Sequence, residues 1–169
     1  MAITKLNLFL CLLVLILFSK CSLESSSKIQ EECNDEIKQF VDVSKDNEVA
    51  SLKKVLFDQQ ESWNNGNIKD FMEGYWKSDQ LIFKSAKHET SYGWESVYQR
   101  YKNSYPDKES MGFLQFDIKD VELTSSKTAK IHGDWELERK NDHPKGSFWL
   151  NLSKMENRWV IISDSTTTF

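Results

Sequence analysis

The chain has 169 residues, 12% of them aromatic and 39% hydrophobic, with a formal net charge of -4. That length fits one globular domain with enough apolar material for a core. The acidic balance argues against a nucleic-acid partner, whose phosphates demand a basic face. No spacing of Cys or His suggests a metal site, and no motif calls for a cofactor.

Residues 6–18, LNLFLCLLVLILF, form an apolar run behind Lys5. The run is shorter than the ~20 residues of a membrane span and fits the core of an export signal over 1–20, with an uncleaved anchor helix as the alternative. Cys21 follows directly, as in a bacterial lipoprotein, where it would be lipidated and become the mature N-terminus. Lys20 departs from the small residue that pattern prefers, and Ser19 to Cys21 also suits ordinary cleavage. The expected location is therefore outside the bacterial cytoplasm: periplasmic, membrane-anchored only through the N-terminus, or secreted. Loss of Lys5 and Lys20 would take the mature charge to about -6. Residues 21–45, which begin Ser- and acid-rich, read as a flexible tether. With Cys21 lipidated and Cys11 in the signal, Cys33 has no disulfide partner; a Cys21–Cys33 bridge is open otherwise.

The folded domain is expected over 46–169. From Glu48 to Asn64, Val49, Leu52, Val55, Leu56 and Trp63 recur near every 3.6 residues and predict a helix with one buried face. Asn64-Asn65-Gly66-Asn67 ends it, and Asn67 is placed to cap a short second helix carrying Phe71, Tyr75 and Trp76. Residues 80–84 read as a short strand, and SAKHET as a turn back. Gly93 opens a third helix whose Trp94, Val97, Tyr98 and Tyr101 form an apolar stripe, stopped by Pro106 and Gly112. Beyond Gly112 the period changes to two, predicting strands at 113–123, 128–139, 146–155 and 158–168. Their connections, SSK, NDHPKG and EN, are the short polar turns of a meander. Helices first and a meander second give an α+β layer fold.

The runs WNNGNIKDFMEGYWKSDQLIF, YGWESVYQRYKNSYPDKESMG, GDWELER and RWVIISD resemble the SnoaL-like, domain-of-unknown-function branch of the nuclear transport factor 2-like superfamily. The resemblance covers roughly 48–168. It implies a cone-shaped fold in which a curved antiparallel sheet wraps the N-terminal helices and leaves a pocket at its wide end, in members that commonly dimerise. Other branches include ketosteroid isomerase, dehydratases, polyketide cyclases and non-enzymatic binding or assembly domains, so fold does not settle function. Relatives of this branch tend to end the last strand in Asp-His, where this chain has Asp164-Ser165. The isomerase's catalytic Tyr and Asp align with Gln60 and with Lys84-Ser85, which cannot do the same chemistry. Steroid isomerisation by that mechanism is therefore not expected.

In such a cone Tyr75, Trp76, Phe83, Trp94, Tyr98, Tyr101 and Trp135 would crowd the wide end as pocket walls, or serve simply as core. Two carboxylates are candidates for acid–base work. Asp79 lies beside the aromatic residues at the end of the second helix, unless it is a solvated turn residue. Asp164 shares an alternating face with Val160 and Ile162 and would need a partner such as Arg100, Tyr101 or His132. His132 is expected outside the pocket, opposite in phase to Trp135 and on a polar stripe with Asp134, Glu136 and Glu138. Three functions follow. The first is an exported accessory module binding a small apolar or aromatic molecule. The second is an isomerase, dehydratase or hydrolase using Asp79 or Asp164. The third is a homodimerisation module whose outer sheet face carries Trp149. The unmatched acid–base residues favour the first.

Overall fold

The computed structural model describes residues 34, 37–39, 41–86 and 88–169. The expected signal, Cys21 and Cys33 lie outside the described residues. The chain divides into two units, Met1–Asp46 and Asn47–Phe169. In the first, residues 37–39 and 41–46 are helical, with Ile37, Val41 and Val43 exposed. These helical residues fall largely within the stretch 21–45 read as a flexible tether: no Gly or Pro interrupts 34–46, and nothing there blocks a helix. Among the described residues no helix is long and apolar enough to cross a membrane.

The second unit begins with helix α1, residues 47–64. Leu52, Leu56 and Trp63 are buried, as the periodicity requires, and join Gln59 on the same face. The start of α1 is tied down by Glu48, whose carboxylate accepts from Lys154 Nζ at 2.5 Å and Trp159 Nε1 at 2.8 Å. Its end is tied by Asn64, which exchanges two hydrogen bonds with the backbone of Leu114. Helix α2, Ile68–Phe71, is capped by the Asn67 side chain accepting from the Asp70 amide. A single 3-10 turn, Met72–Gly74, follows.

Strand β1, Ile82–Ser85, pairs antiparallel with β2, His88–Tyr92. The sequence reading gave no strand at 88–92, because HETSY has no apolar alternation to mark it. Helix α3, Trp94–Ser104, opens at Gly93 with φ +84°, and a further one-turn helix α4, Lys108–Met111, precedes Gly112 at φ +66°. That turn, hidden in the sequence behind Pro106, is held by a capping box between Asp107 and Ser110. The meander then runs through β3, Phe113–Leu123, β4, Thr128–Glu138, β5, Lys145–Met155, and β6, Arg158–Thr166. Glu156 and Asn157 both take positive φ in the two-residue turn between β5 and β6, the geometry that suits the twist of a hairpin.

The sheet has six strands in the order β2-β1-β6-β5-β4-β3 and is not closed into a barrel. All neighbours are antiparallel except β1 and β6, which pair in parallel, so the expected antiparallel sheet carries one parallel ladder. Bulges in β3 near Lys119 and in β6 at Ile162 add a bend to the sheet. The core lies between its inner face and the helices, with Leu52, Leu56, Met72, Ile131, Leu152 and Ile161 fully enclosed.

Candidate functional site

Between the helices and the inner face of the sheet lies a cavity of about 360 Å³. Each element contributes because of its local phase. On α1, Leu56, Gln59 and Trp63 lie at spacings of three and four. On α3, the same rule brings Arg100, Tyr101 and Ser104 to one side. From the strands, Phe116, Trp135, Phe148 and Leu150 complete the wall. The aromatic rings are rigidly set. Tyr101 makes edge contacts with Trp63, Phe71 and Phe83 at centroid separations of 5.1–6.0 Å. Trp135 is fixed by its indole N–H, which donates to Thr166 Oγ1 at 2.9 Å.

The polar centre is Asp164. It sits on β6 opposite Phe83 of β1 and Leu150 of β5, with a neighbouring strand on each side. The Tyr75 hydroxyl donates to its Oδ2 at 2.7 Å, and the Tyr101 hydroxyl lies 3.3 Å from that of Tyr75. Since the Tyr75 proton is committed to Asp164, the bond between the two phenols is donated by Tyr101. The other carboxyl oxygen, Oδ1, is buried and has no hydrogen-bond partner. Burial pushes the Asp164 pKa up to about 7, against the hydrogen bond from Tyr75 and the charge of Arg100, which both pull it down. Loss of solvent likewise holds the Tyr75 and Tyr101 phenols well above their ordinary range. Near neutral pH the cavity therefore offers a carboxyl group that can donate or accept, beside two neutral phenols.

Backbone pairing explains why Tyr75 reaches this point. It forms an isolated parallel bridge with Ile161, and the Trp76 amide donates to the Ile161 carbonyl at 2.9 Å. This extended segment puts Tyr75 and Trp76 on opposite sides, so Tyr75 turns into the cavity and Trp76 turns away. Trp94 and Tyr98 also lie off the cavity. Trp94 donates its indole N–H to the Met72 carbonyl and stacks on Tyr98, with Lys77 and Lys102 over their outer ring faces. The stripe read on α3 was broader than the cavity, and its Trp94–Tyr98 ridge packs elsewhere. Of the seven aromatic residues picked out from the sequence, the structure brings Tyr75, Phe83, Tyr101 and Trp135 together.

Asp79 is exposed in the turn before β1 and does not line the cavity. Asp164 does, but not for the reason expected. The bulge at Ile162 breaks the alternation, so Asp164 shares its inward face with Ile161 and Trp159 rather than with Ile162. Its hydrogen-bond partner is Tyr75. His132 faces outward and stacks on Trp149 at 4.8 Å. Gln60 accepts from the Phe116 amide at 2.7 Å, a structural tie between α1 and β3. The sequence reading did not single out Gln59, Tyr105 or Phe148 as lining residues. Gln59 follows from the phase of α1, and Tyr105, the residue that closes α3, continues the stripe of that helix four residues after Tyr101. Among the described residues no cluster of His, Cys, Asp or Glu converges as a metal site.

A solved NTF-2 like protein of unknown function from Shewanella oneidensis MR-1 is 38% identical, covering 70% of this chain and 98% of its own, with a TM-score of 0.68. The chain belongs to the nuclear transport factor 2-like superfamily. A ketosteroid isomerase-like protein from Erwinia carotovora atroseptica SCRI1043 covers 72% of this chain and 96% of its own at 15% identity and a TM-score of 0.60. A nuclear transport factor 2-like protein from Salmonella enterica serovar Typhimurium LT2 matches 68% of this chain and 86% of its own at 11% identity and a TM-score of 0.55. At those identities the likeness is one of fold. No protein-family model matches the chain, and no curated protein does. The Shewanella protein is itself of unknown function, so the cavity residues of this nuclear transport factor 2-like domain must supply the functional reading.

Proposed function

We propose that this nuclear transport factor 2-like domain is an exported small-molecule-binding module. The observation that carries the binding reading is the cavity itself: aromatic walls enclosing one buried carboxyl whose Oδ1 lacks a partner. Aromatic walls together with convergent polar groups that fix orientation are what small ligands require. Export rests on the apolar run at 6–18, and lipid anchoring on Cys21. Native mass spectrometry of the full chain purified from its own host tests the binding reading. A small molecule retained by the wild type and by Asp79→Asn, but lost from Tyr101→Ala and Phe148→Ala, supports it. Loss from Asp79→Asn alone, or an empty wild type, refutes it.

A second reading is favoured by one observation. Asp164, with its pKa near 7 and its bond from Tyr75, is poised to move a proton at neutral pH. As an enzyme, the domain would convert the retained molecule on incubation, and Asp164→Asn would stop conversion without abolishing retention. Recovery of the molecule unchanged favours binding alone. The homodimer proposal concerns the outer sheet face, where Trp149 is 48% exposed beside His132.

A further inference from the structure

Given the binding reading above, two groups of opposite character narrow the ligand class. One is Asp164 Oδ1, a buried oxygen left without a partner on a carboxyl already held at Oδ2 by Tyr75. A buried polar atom in that state is stabilised by any group that bonds it. The other is Arg100, which also lines the cavity. Its guanidinium lies over the Phe83 ring at 4.8 Å, and its hydrogen bonds, to the Glu89 carbonyl and Ser91 Oγ, are both 3.4 Å long. Among the described residues no carboxylate lies within ion-pair distance of it. Arg139, also on the wall, is by contrast committed to Asp142 through two bonds of 2.7 Å.

We propose that the cavity takes an aromatic, singly anionic molecule bearing a hydroxyl, with the anionic group on Arg100 and the hydroxyl on Asp164 Oδ1. A hydroxyl fits that oxygen better than any one-way group. It donates to the carboxylate and accepts from the protonated acid, and both forms are populated near neutrality. An ammonium group is disfavoured, because the charge of Arg100 is felt at Asp164 and would repel a second cation there. An anion is favoured, because the carboxyl group loses part of its charge near neutrality while Arg100 keeps all of its own. An aromatic body follows from the walls: Phe83, Tyr101 and Phe148 line the cavity, and their rings favour edge or offset contact with another ring.

The test is a matched titration at pH 7 of the full chain in mild detergent, with detergent alone as the blank. Two scaffolds of different length are used, 4-hydroxycinnamate and 4′-hydroxybiphenyl-4-carboxylate. Each is compared with its partner lacking the hydroxyl and its partner with a neutral alcohol in place of the carboxylate. On at least one scaffold, removing the hydroxyl should weaken binding to the wild type by about tenfold or more, and to Asp164→Ala by less than about twofold. Removing the carboxylate should do the same to the wild type, but hardly affect Arg100→Gln. Arg100 is only partly buried, so its variant keeps the test open if Asp164→Ala does not fold. Probes that bind equally well with and without hydroxyl and carboxylate overturn this ligand class and leave the binding reading standing. If no probe binds at millimolar concentration, and uncharged biphenyl does not either, both fall together.

Discussion

Asp164 is placed where a charge is costly, so it should destabilise the fold in a pH-dependent way. Its pKa rises from an ordinary 3.8 to about 7. Between those values the folded chain holds a proton that the unfolded chain has released, so this group's contribution to stability falls as pH rises and levels off above about 7. Each pKa unit corresponds to about 1.4 kcal/mol, so the charged carboxylate at pH 8 costs the fold about 4 kcal/mol relative to its acid form. Asp164→Asn mimics that acid form at every pH. Measured by urea unfolding with tryptophan fluorescence, the stability of the variant relative to wild type should increase by about 3 kcal/mol between pH 5 and pH 8, since about two units of that window lie below the folded pKa. Every other titrating group is shared by the two chains and cancels in the difference. A difference that stays constant from pH 5 to pH 8 would refute the reasoning, because it would mean that Asp164 is ionised and solvated throughout.

Tyr75→Phe removes the hydrogen bond to Asp164, and should cost about 1.5–3 kcal/mol at pH 8, where the acceptor is charged, but less at pH 5. The same unfolding series reads both values. Gly112→Ala combines a positive φ with a Cβ that would meet Arg139 Cγ and lie 2.6 Å from the Glu138 carbonyl oxygen. It should lose about 2–4 kcal/mol in thermal or urea unfolding, as overpacking against backbone does. For the dimer proposal, Trp149→Glu puts a charge on the outer face beside His132. Sedimentation velocity should then show monomer where the wild type is dimeric, with an unchanged circular dichroism spectrum. Cys21→Ser should abolish incorporation of labelled fatty acid if the N-terminus is lipidated, and an unlabelled wild type would discard the anchor.

The sequence by itself determined the elements whose burial shows as a period. The stripe Leu52, Leu56, Trp63 fixed α1, and the alternation of Leu114, Phe116 and Ile118 fixed β3, because each residue's side follows from its position along a regular backbone. The wording of those segments was enough to place the chain in its superfamily. Asp164 was also legible as a carboxylate in an apolar strand. What the tertiary structure decided is everything that depends on two distant segments meeting. The parallel pairing of β1 with β6, the bulge at Ile162 that turns Asp164 inward, and the backbone bridge that carries Tyr75 to it link residues 75, 83 and 164. No local period encodes them. The same holds for the division of the aromatic residues. Trp76, Trp94 and Tyr98 look no different in sequence from Tyr75 and Tyr101, and what separates them is which side of an extended segment or a helix ridge faces the hollow. A side chain's chemistry is written in the chain, but its surroundings, and so its pKa and its partner, exist only once the chain has folded.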